Sequence, residues 1–285
     1  MNKGAKSKDS EEPVVKDVEE TPVVEEETTV NEPVEKVEEQ VEEVKETSKK
    51  ELRKSGRTLR VQSGITGVDE LIDGGFNPGQ VVLLTGTTGT GKTNFSLQYL
   101  YGGVKKGDKC LYVSFEEPIE NIKENAKKVG LDFDKMEKDG NMLFVRYDPF
   151  HAEDIYDLIE SSIKKINATR VVIDSISALG LYVRDAAEIR RMIFNISLLL
   201  RKLNCTSVIT SEILPMQNAL SRFGVEEFVS DAIIVLYYLR SESQFARSIT
   251  VWKMRGSKHS HKLHPYDITD HGIVVYPKEE AFVKM

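Results

Sequence analysis

Long apolar runs are missing from this sequence. Nothing approaches the roughly 18 consecutive apolar residues that a membrane-spanning helix needs, so no helical membrane span is expected. Cysteine is scarce as well. Cys110 and Cys205 each lie beside an apolar run (Leu111-Tyr112-Val113 and Val208-Ile209), and both are expected to be buried, reduced thiols. The N-terminus carries Lys3, Lys6 and Lys8 with no apolar stretch after them, so no secretory signal is expected and the cytoplasm is the expected location. Residues 1–50 contain no Phe, Trp, Tyr, Leu or Ile. Such a segment buries too little surface to offset the entropy of ordering it, and residues 1–55 are expected to be a disordered acidic tail.

The net charge of −7 is unevenly spread. Residues 1–50 hold 16 acidic and 8 basic side chains, a balance of −8. The other 235 residues are left with 31 basic and 30 acidic side chains, about +1. No broad basic field is present to favour nucleic acid. Within the tail, Val34, Val37, Val41 and Val44 follow a 3-4-3 spacing among Glu and Lys, an a/d pattern lasting under two heptads. Isolated helices this short are marginal, so the expectation is a solvated tail, with a transient helix docking on a partner as the alternative.

What is present begins at Gly86. The stretch Gly86-Thr87-Thr88-Gly89-Thr90-Gly91-Lys92-Thr93 fits G-x-x-x-x-G-K-[ST] at every fixed position. An apolar strand, Val81-Val82-Leu83-Leu84, leads into it, and a helix is expected to leave it over 92–103. That context predicts a nucleoside triphosphate site. Glycines let backbone N–H groups turn toward phosphate oxygens, and the helix start adds free donors and a favourable dipole. Lys92 is assigned to the β/γ phosphates and Thr93 to Mg²⁺.

Downstream, apolar runs alternate with helical patterns. Strands are expected at 80–85, 109–115, 142–147, 170–174, 205–211, 231–238, 248–254 and 271–276. Helices are expected at 118–129, 151–165 and 186–203, and a short one lies within 63–72. Strands separated by helices imply a parallel sheet, and the closely spaced final strands imply an antiparallel extension. The expected fold is one α/β domain over 56–285, a P-loop core with helices on both faces of the sheet.

Three further sets of residues carry chemistry. Val171-Val172-Ile173-Asp174 is an apolar strand ending in a carboxylate, placed to hold Mg²⁺ with Thr93. The strand before it ends in Ser114-Phe115-Glu116-Glu117-Pro118, where a glutamate can orient and deprotonate an attacking water. Adjacent strand residues point to opposite faces, so one of Glu116 and Glu117 is expected to be the base and the other a support. Lys253 and Arg255 share a strand face, two cations that repel unless an anion lies between them. They fit the γ-phosphate of a nucleotide on a neighbouring subunit, or a solvated strand face. His259 and His261 have no Cys or carboxylate cluster beside them, and a metal site there is not expected.

GVDELIDGG, GTTGTGKT, SFEEP, VVIDS, GVEEFVSDAIIVL, KMRGSKHS and ITDHGIVVYP occur in that order from about Gly64 to Pro277. In this the chain resembles the KaiC-like ATPases of the RecA superfamily in their single-domain, archaeal form. The resemblance implies a RecA-type core, ATP with Mg²⁺, and a homo-oligomeric, hexameric ring with nucleotides between subunits. It also implies that Glu116 and Glu117 are the catalytic glutamates and that Lys253 and Arg255 reach across the interface, with His259 near them. Where the clock protein's second domain autophosphorylates, this chain has Glu227-Phe228, which accept no phosphoryl group, with Ser221 and Ser230 nearby.

The function expected is slow, Mg-dependent ATP hydrolysis by an oligomer whose output is regulatory, through ring shape or partner binding. Two alternatives stand beside it. One is a DNA-binding recombination accessory, although 176–190 and 213–229 offer Arg184, Arg190 and Arg222 against Asp185, Glu188, Glu226 and Glu227. The other is a kinase or scaffold whose acidic tail recruits a basic regulatory partner.

Overall fold

The computed structural model describes residues 59–147, 154–214, 219–241 and 244–281. The chain divides into Met1–Ser55 and Gly56–Met285, and the fold described is that of the second unit. The acidic tail and its valine pattern lie outside the described residues.

In chain order the elements are α1 (Val68–Leu71), β1 (Val81–Gly86), α2 (Lys92–Lys105), β2 (Cys110–Ser114), α3 (Ile119–Lys128), α4 (Asp134–Lys138) and β3 (Met142–Arg146). There follow α5 (Ile155–Ile166), β4 (Arg170–Asp174), a 3-10 turn (Ile176–Ala178), α6 (Leu179–Tyr182), α7 (Ala186–Lys202) and β5 (Thr206–Glu212). The chain continues through α8 (Glu226–Val229), β6 (Ala232–Ser241), β7 (Gln244–Met254), β8 (His264–Thr269) and β9 (Gly272–Val275).

Among the described residues these strands form one nine-stranded sheet, ordered β3-β2-β4-β5-β1-β6-β7-β8-β9. The first six in that order run parallel, and β7, β8 and β9 are antiparallel. The α/β fold read from the sequence is the fold observed, antiparallel extension included. Strand β8, the 3-10 turn and the short helices α4, α6 and α8 were not expected. Strand β8 lies between the expected strands at 248–254 and 271–276, and α4 is a single turn or so ahead of β3.

Central strands are buried on both faces, which is why they read as unbroken apolar runs. Val82 and Leu84 of β1 pack with Phe95, Tyr99 and Leu100 of α2 on one side. Val81 joins Ile159, Ile163, Ile193 and Ile196 of α5 and α7 on the other. Each of those helices presents an apolar stripe at 3.6-residue spacing to the sheet. At the head of β4, Arg170 is buried at 2% exposure, yet it is fully partnered. It pairs with Asp108 at 2.7 Å, donates to the carbonyls of Gln62 and Tyr99, and lies over the Tyr99 ring.

The sheet order places β1 between β5 and β6, so the chain leaving β1 must cross over β5 and β4 to reach β2. A crevice opens at the C-terminal ends of strands beside such a crossing, and the loop after β1 lies there.

Candidate functional site

Local backbone chemistry builds the loop. Gly91 has φ of 87° and caps α2 without any side-chain hydrogen bond, so the first N–H groups of that helix stay free for an anion. At that φ any side chain is strained, and a Cβ on Gly91 would also lie 2.7 Å from Ile268 Cδ1 of β8. The Tyr266 hydroxyl, also from β8, donates to the Thr90 carbonyl at 2.5 Å, and Thr90 Oγ1 donates to the Thr87 carbonyl at 2.8 Å.

Lys92 is buried, and its ammonium donates to the carbonyls of Gly86 (2.9 Å) and Thr87 (3.1 Å). Burial pushes it below the ordinary lysine range, while Glu212, Asp174 and Glu116 oppose the shift. Thr93 Oγ1 donates to Asp174 Oδ2 at 2.8 Å. Tyr112 donates to the same oxygen at 2.6 Å, and Thr210 to Asp174 Oδ1 at 2.5 Å. Burial and the nearby Asp174 push the Tyr112 phenol well up, so it stays a donor. These contacts hold the Asp174 carboxylate beside the Thr93 hydroxyl.

The two glutamates lie in the bend after β2, beyond the strand itself, and they part ways. Glu116 lines the cleft, and Ser175 donates to its Oε1 at 2.7 Å. Its outer face is open to solvent, but on the protein side water is displaced. That desolvation raises its pKa, with Glu212 and Asp174 adding to the effect and Ser175 and Lys92 opposing it. Glu117 turns toward Asn125 of α3 at 3.5 Å, and its carbonyl accepts from Ser114 Oγ at 2.7 Å.

Together, the loop residues Thr88, Gly89, Gly91, Lys92 and Thr93 with Glu116 and Asp174 line one cleft of about 370 Å³. Glu212 and Ser175 also line it and were not singled out from the sequence. Glu212 ends β5, whose register sets it beside Gly86, and its N–H donates to Ser177 Oγ at 2.8 Å. The polar ending Thr210-Ser211-Glu212 on an otherwise apolar strand next to β1 was the available signal. The expected strand stopped one residue short of it.

Lys253 and Arg255 lie elsewhere. Lys253 pairs with Ile233 and Met254 with Ala232, while Leu236 is level with Gly86. At about 3.3 Å per residue, four residues separate Met254 from the loop by roughly 13 Å along the strands. Arg255 is one residue further, and β6 lies between. Both cations lean on the C-terminal end of α8: Lys253 Nζ donates to the carbonyls of Glu227 and Ser230, each at 2.8 Å. Arg255 donates to the Phe228 carbonyl at 3.4 Å and pairs with Asp231 at 3.5 Å. Desolvation, then the neighbouring Arg255 charge, lowers the Lys253 pKa.

Ser221 and Ser230, the hydroxyls near Glu227-Phe228, are buried and donate to Glu226. Among the described residues no cluster of His, Cys, Asp and Glu is arranged to hold a metal, and His259 and His261 stack on each other at 4.5 Å. Nor is any described helix long and apolar enough to cross a membrane.

A family profile described as the KaiC ATPase matches residues 61–280. A UPF0273 protein of Pyrococcus horikoshii is 38% identical over 237 residues, covering 77% of this chain and 95% of that protein. The circadian clock oscillator protein KaiC of Synechococcus elongatus is 32% identical over 229 residues, covering 76% of this chain and 44% of the longer clock protein. The crystal structure of a KaiC-like protein from P. horikoshii superposes with a TM-score of 0.73 at 38% identity, over 77% of this chain and all of that one. A RecA-type sheet, a phosphate loop at its crossing point and this match along the domain lead to one assignment: the chain belongs to the KaiC-like ATPase family.

Proposed function

We propose that this protein binds ATP with Mg²⁺ and hydrolyses it slowly as a homo-oligomeric ring, the cleft of each subunit being completed by Lys253 and Arg255 of the next. The observation that carries this reading is the strand register. It leaves both cations beyond side-chain reach of their own chain's loop while Lys92, Thr93, Glu116 and Asp174 are gathered in the cleft.

The residues present fit the groups required. Lys92, held to loop carbonyls, exchanges them for β/γ phosphate oxygens. Thr93 and Asp174 offer two hard oxygen donors side by side, few enough to leave Mg²⁺ its waters and phosphate ligands. Mg²⁺ held by Thr93 and Asp174 would supply positive charge to offset that of the phosphates. Glu116, oriented by Ser175, takes the proton from the attacking water, while Glu117, whose carboxylate accepts from Asn125 of α3, has a supporting part.

The face bearing the two cations has features of an interface. Phe194 and Phe228 are 47% and 68% exposed and line a cleft of about 520 Å³ with Arg190, Arg191 and Arg255. Aromatic and arginine side chains are enriched at protein interfaces. Buried Glu227 Oε2 and His259 Nδ1 find no hydrogen-bond partner among the described residues. A ring of six and a regulatory output, with the acidic tail engaging a protein partner, extend the same reading.

Phosphate release from ATP tests it. Lys92→Ala is expected to abolish turnover, and Glu116→Gln to lower it roughly a hundredfold while ATP still binds. Glu117→Gln should fall less. Undiminished turnover in Lys92→Ala would remove the site assignment.

A further inference from the structure

Glu226 is 1% exposed, and both oxygens of its carboxylate are fully used. Oε1 accepts from Ser211 Oγ at 2.9 Å and the Phe223 N–H at 3.3 Å. Oε2 accepts from Ser221 Oγ at 2.7 Å and the Val225 N–H at 3.1 Å. Its carbonyl accepts from Ser230 Oγ at 2.6 Å. One buried carboxylate therefore gathers the end of β5, the stretch 221–225 and the whole of α8.

Those segments meet different functions. Along β5 the side chains alternate: Thr210 bonds Asp174, Glu212 lines the cleft, and Ser211 between them faces the other way, onto Glu226. Thr85, one residue before the phosphate loop, donates to the Leu220 carbonyl at 2.6 Å, a second tie from the cleft to this stretch. At the far side, the carbonyls of Glu227, Phe228 and Ser230 carry Lys253 and Arg255. Moving the end of β5 moves Ser211, and through the Glu226 carboxylate it moves the helix on which both cations rest.

We propose that Glu226 is a positioning residue that couples this chain's own nucleotide cleft to the two cations it lends to another copy. This rests on the reading that Lys253 and Arg255 act on a neighbour's nucleotide. The state of one pocket is thereby passed to the next subunit through the end of β5, the Glu226 carboxylate and α8.

The test is complementation between full-length variants co-expressed with distinguishable tags. Glu226→Gln keeps the side chain's size but offers an NH2 where an oxygen accepted two hydrogen bonds. Alone it is expected to bind ATP and to turn over roughly tenfold slower. Mixed with Lys92→Ala subunits, whose own cleft is dead but whose cations are intact, its turnover per competent cleft is expected to recover. A merely structural fault would stay with the Glu226→Gln subunit and show no recovery. Arg255→Ala mixed with Lys92→Ala is the control. Recovery there but not with Glu226→Gln overturns the role of Glu226. Recovery in neither mixture means that the cations do not act between copies, and the proposal falls with the reading beneath it. Turnover of Glu226→Gln equal to that of the unaltered protein also overturns it. Should Glu226→Gln fail to fold, Ser221→Ala, which removes one donor, carries the same comparison.

Discussion

Glu116 and Glu117 are adjacent in sequence and separate in chemistry. Alternation along a strand was the reason to expect them to diverge, but β2 stops at Ser114 and both lie in the bend after it, where Ser175 holds Glu116 at the cleft and Asn125 draws Glu117 toward α3. That choice was not in the sequence of β2. The Glu116 pKa is raised above 4.5, mainly by desolvation. A base must be ionised, so turnover should rise with pH over a range that starts above the ordinary glutamate value, and the rise should vanish in Glu116→Gln. The linkage to stability has the opposite sense. A raised folded pKa means that the folded chain holds the proton more tightly than the unfolded one. The favourable contribution of Glu116 is thus complete below 4.5 and is lost as pH rises through its folded pKa. At neutral pH Glu116→Gln is expected to melt slightly higher than the unaltered protein, and a lower Tm there would contradict this account of its environment.

At the scale of elements, most strands were legible because burial on both faces leaves apolar runs between turn residues, as in Val81–Leu84 and Val171–Ile173. Strand β8 was not. His264-Pro265-Tyr266-Asp267-Ile268-Thr269 contains a proline and an aspartate, and it pairs with β7 at two positions only. Its strand state comes from the hairpin with β9 and from contacts with the phosphate loop, which are tertiary. The omission mattered, because β8 supplies both the Tyr266 hydroxyl bond to Thr90 and the Ile268 side chain that packs against Gly91. Burial holds the Tyr266 phenol above its ordinary range, so it remains a donor at any physiological pH. Tyr266→Phe should lower unfolding stability by about 1 kcal/mol and weaken ATP binding with little effect on the chemical step. Equal ATP affinity in urea-checked, folded Tyr266→Phe would show that the loop does not depend on the hairpin.

For the whole molecule, motif order alone was enough to place the domain among its relatives, and the composition of residues 1–50 separated it from the tail. The register could not be read from the sequence. Lys253 and Arg255 looked like a cation pair on one strand face, and only the pairing of β7 with β6 shows them at the end of the sheet away from their own cleft. Sequence patterns report which face a residue takes, whereas the level of one strand against another is set by turns and bulges, here including the irregularity opposite Ile233 and Ile234, next to Lys253. If, as proposed, the cations act on a neighbour's nucleotide, a chain with this register has an incomplete site when alone, and dilution should expose that. The most direct measurement is ATP turnover per protomer across a wide range of protein concentration, with Arg255→Ala in parallel. The account predicts that specific activity climbs with concentration to a plateau and that Arg255→Ala stays low throughout while binding ATP normally. Activity that is flat with concentration and indifferent to Arg255 would contradict it, because the cleft of a single chain would then be sufficient.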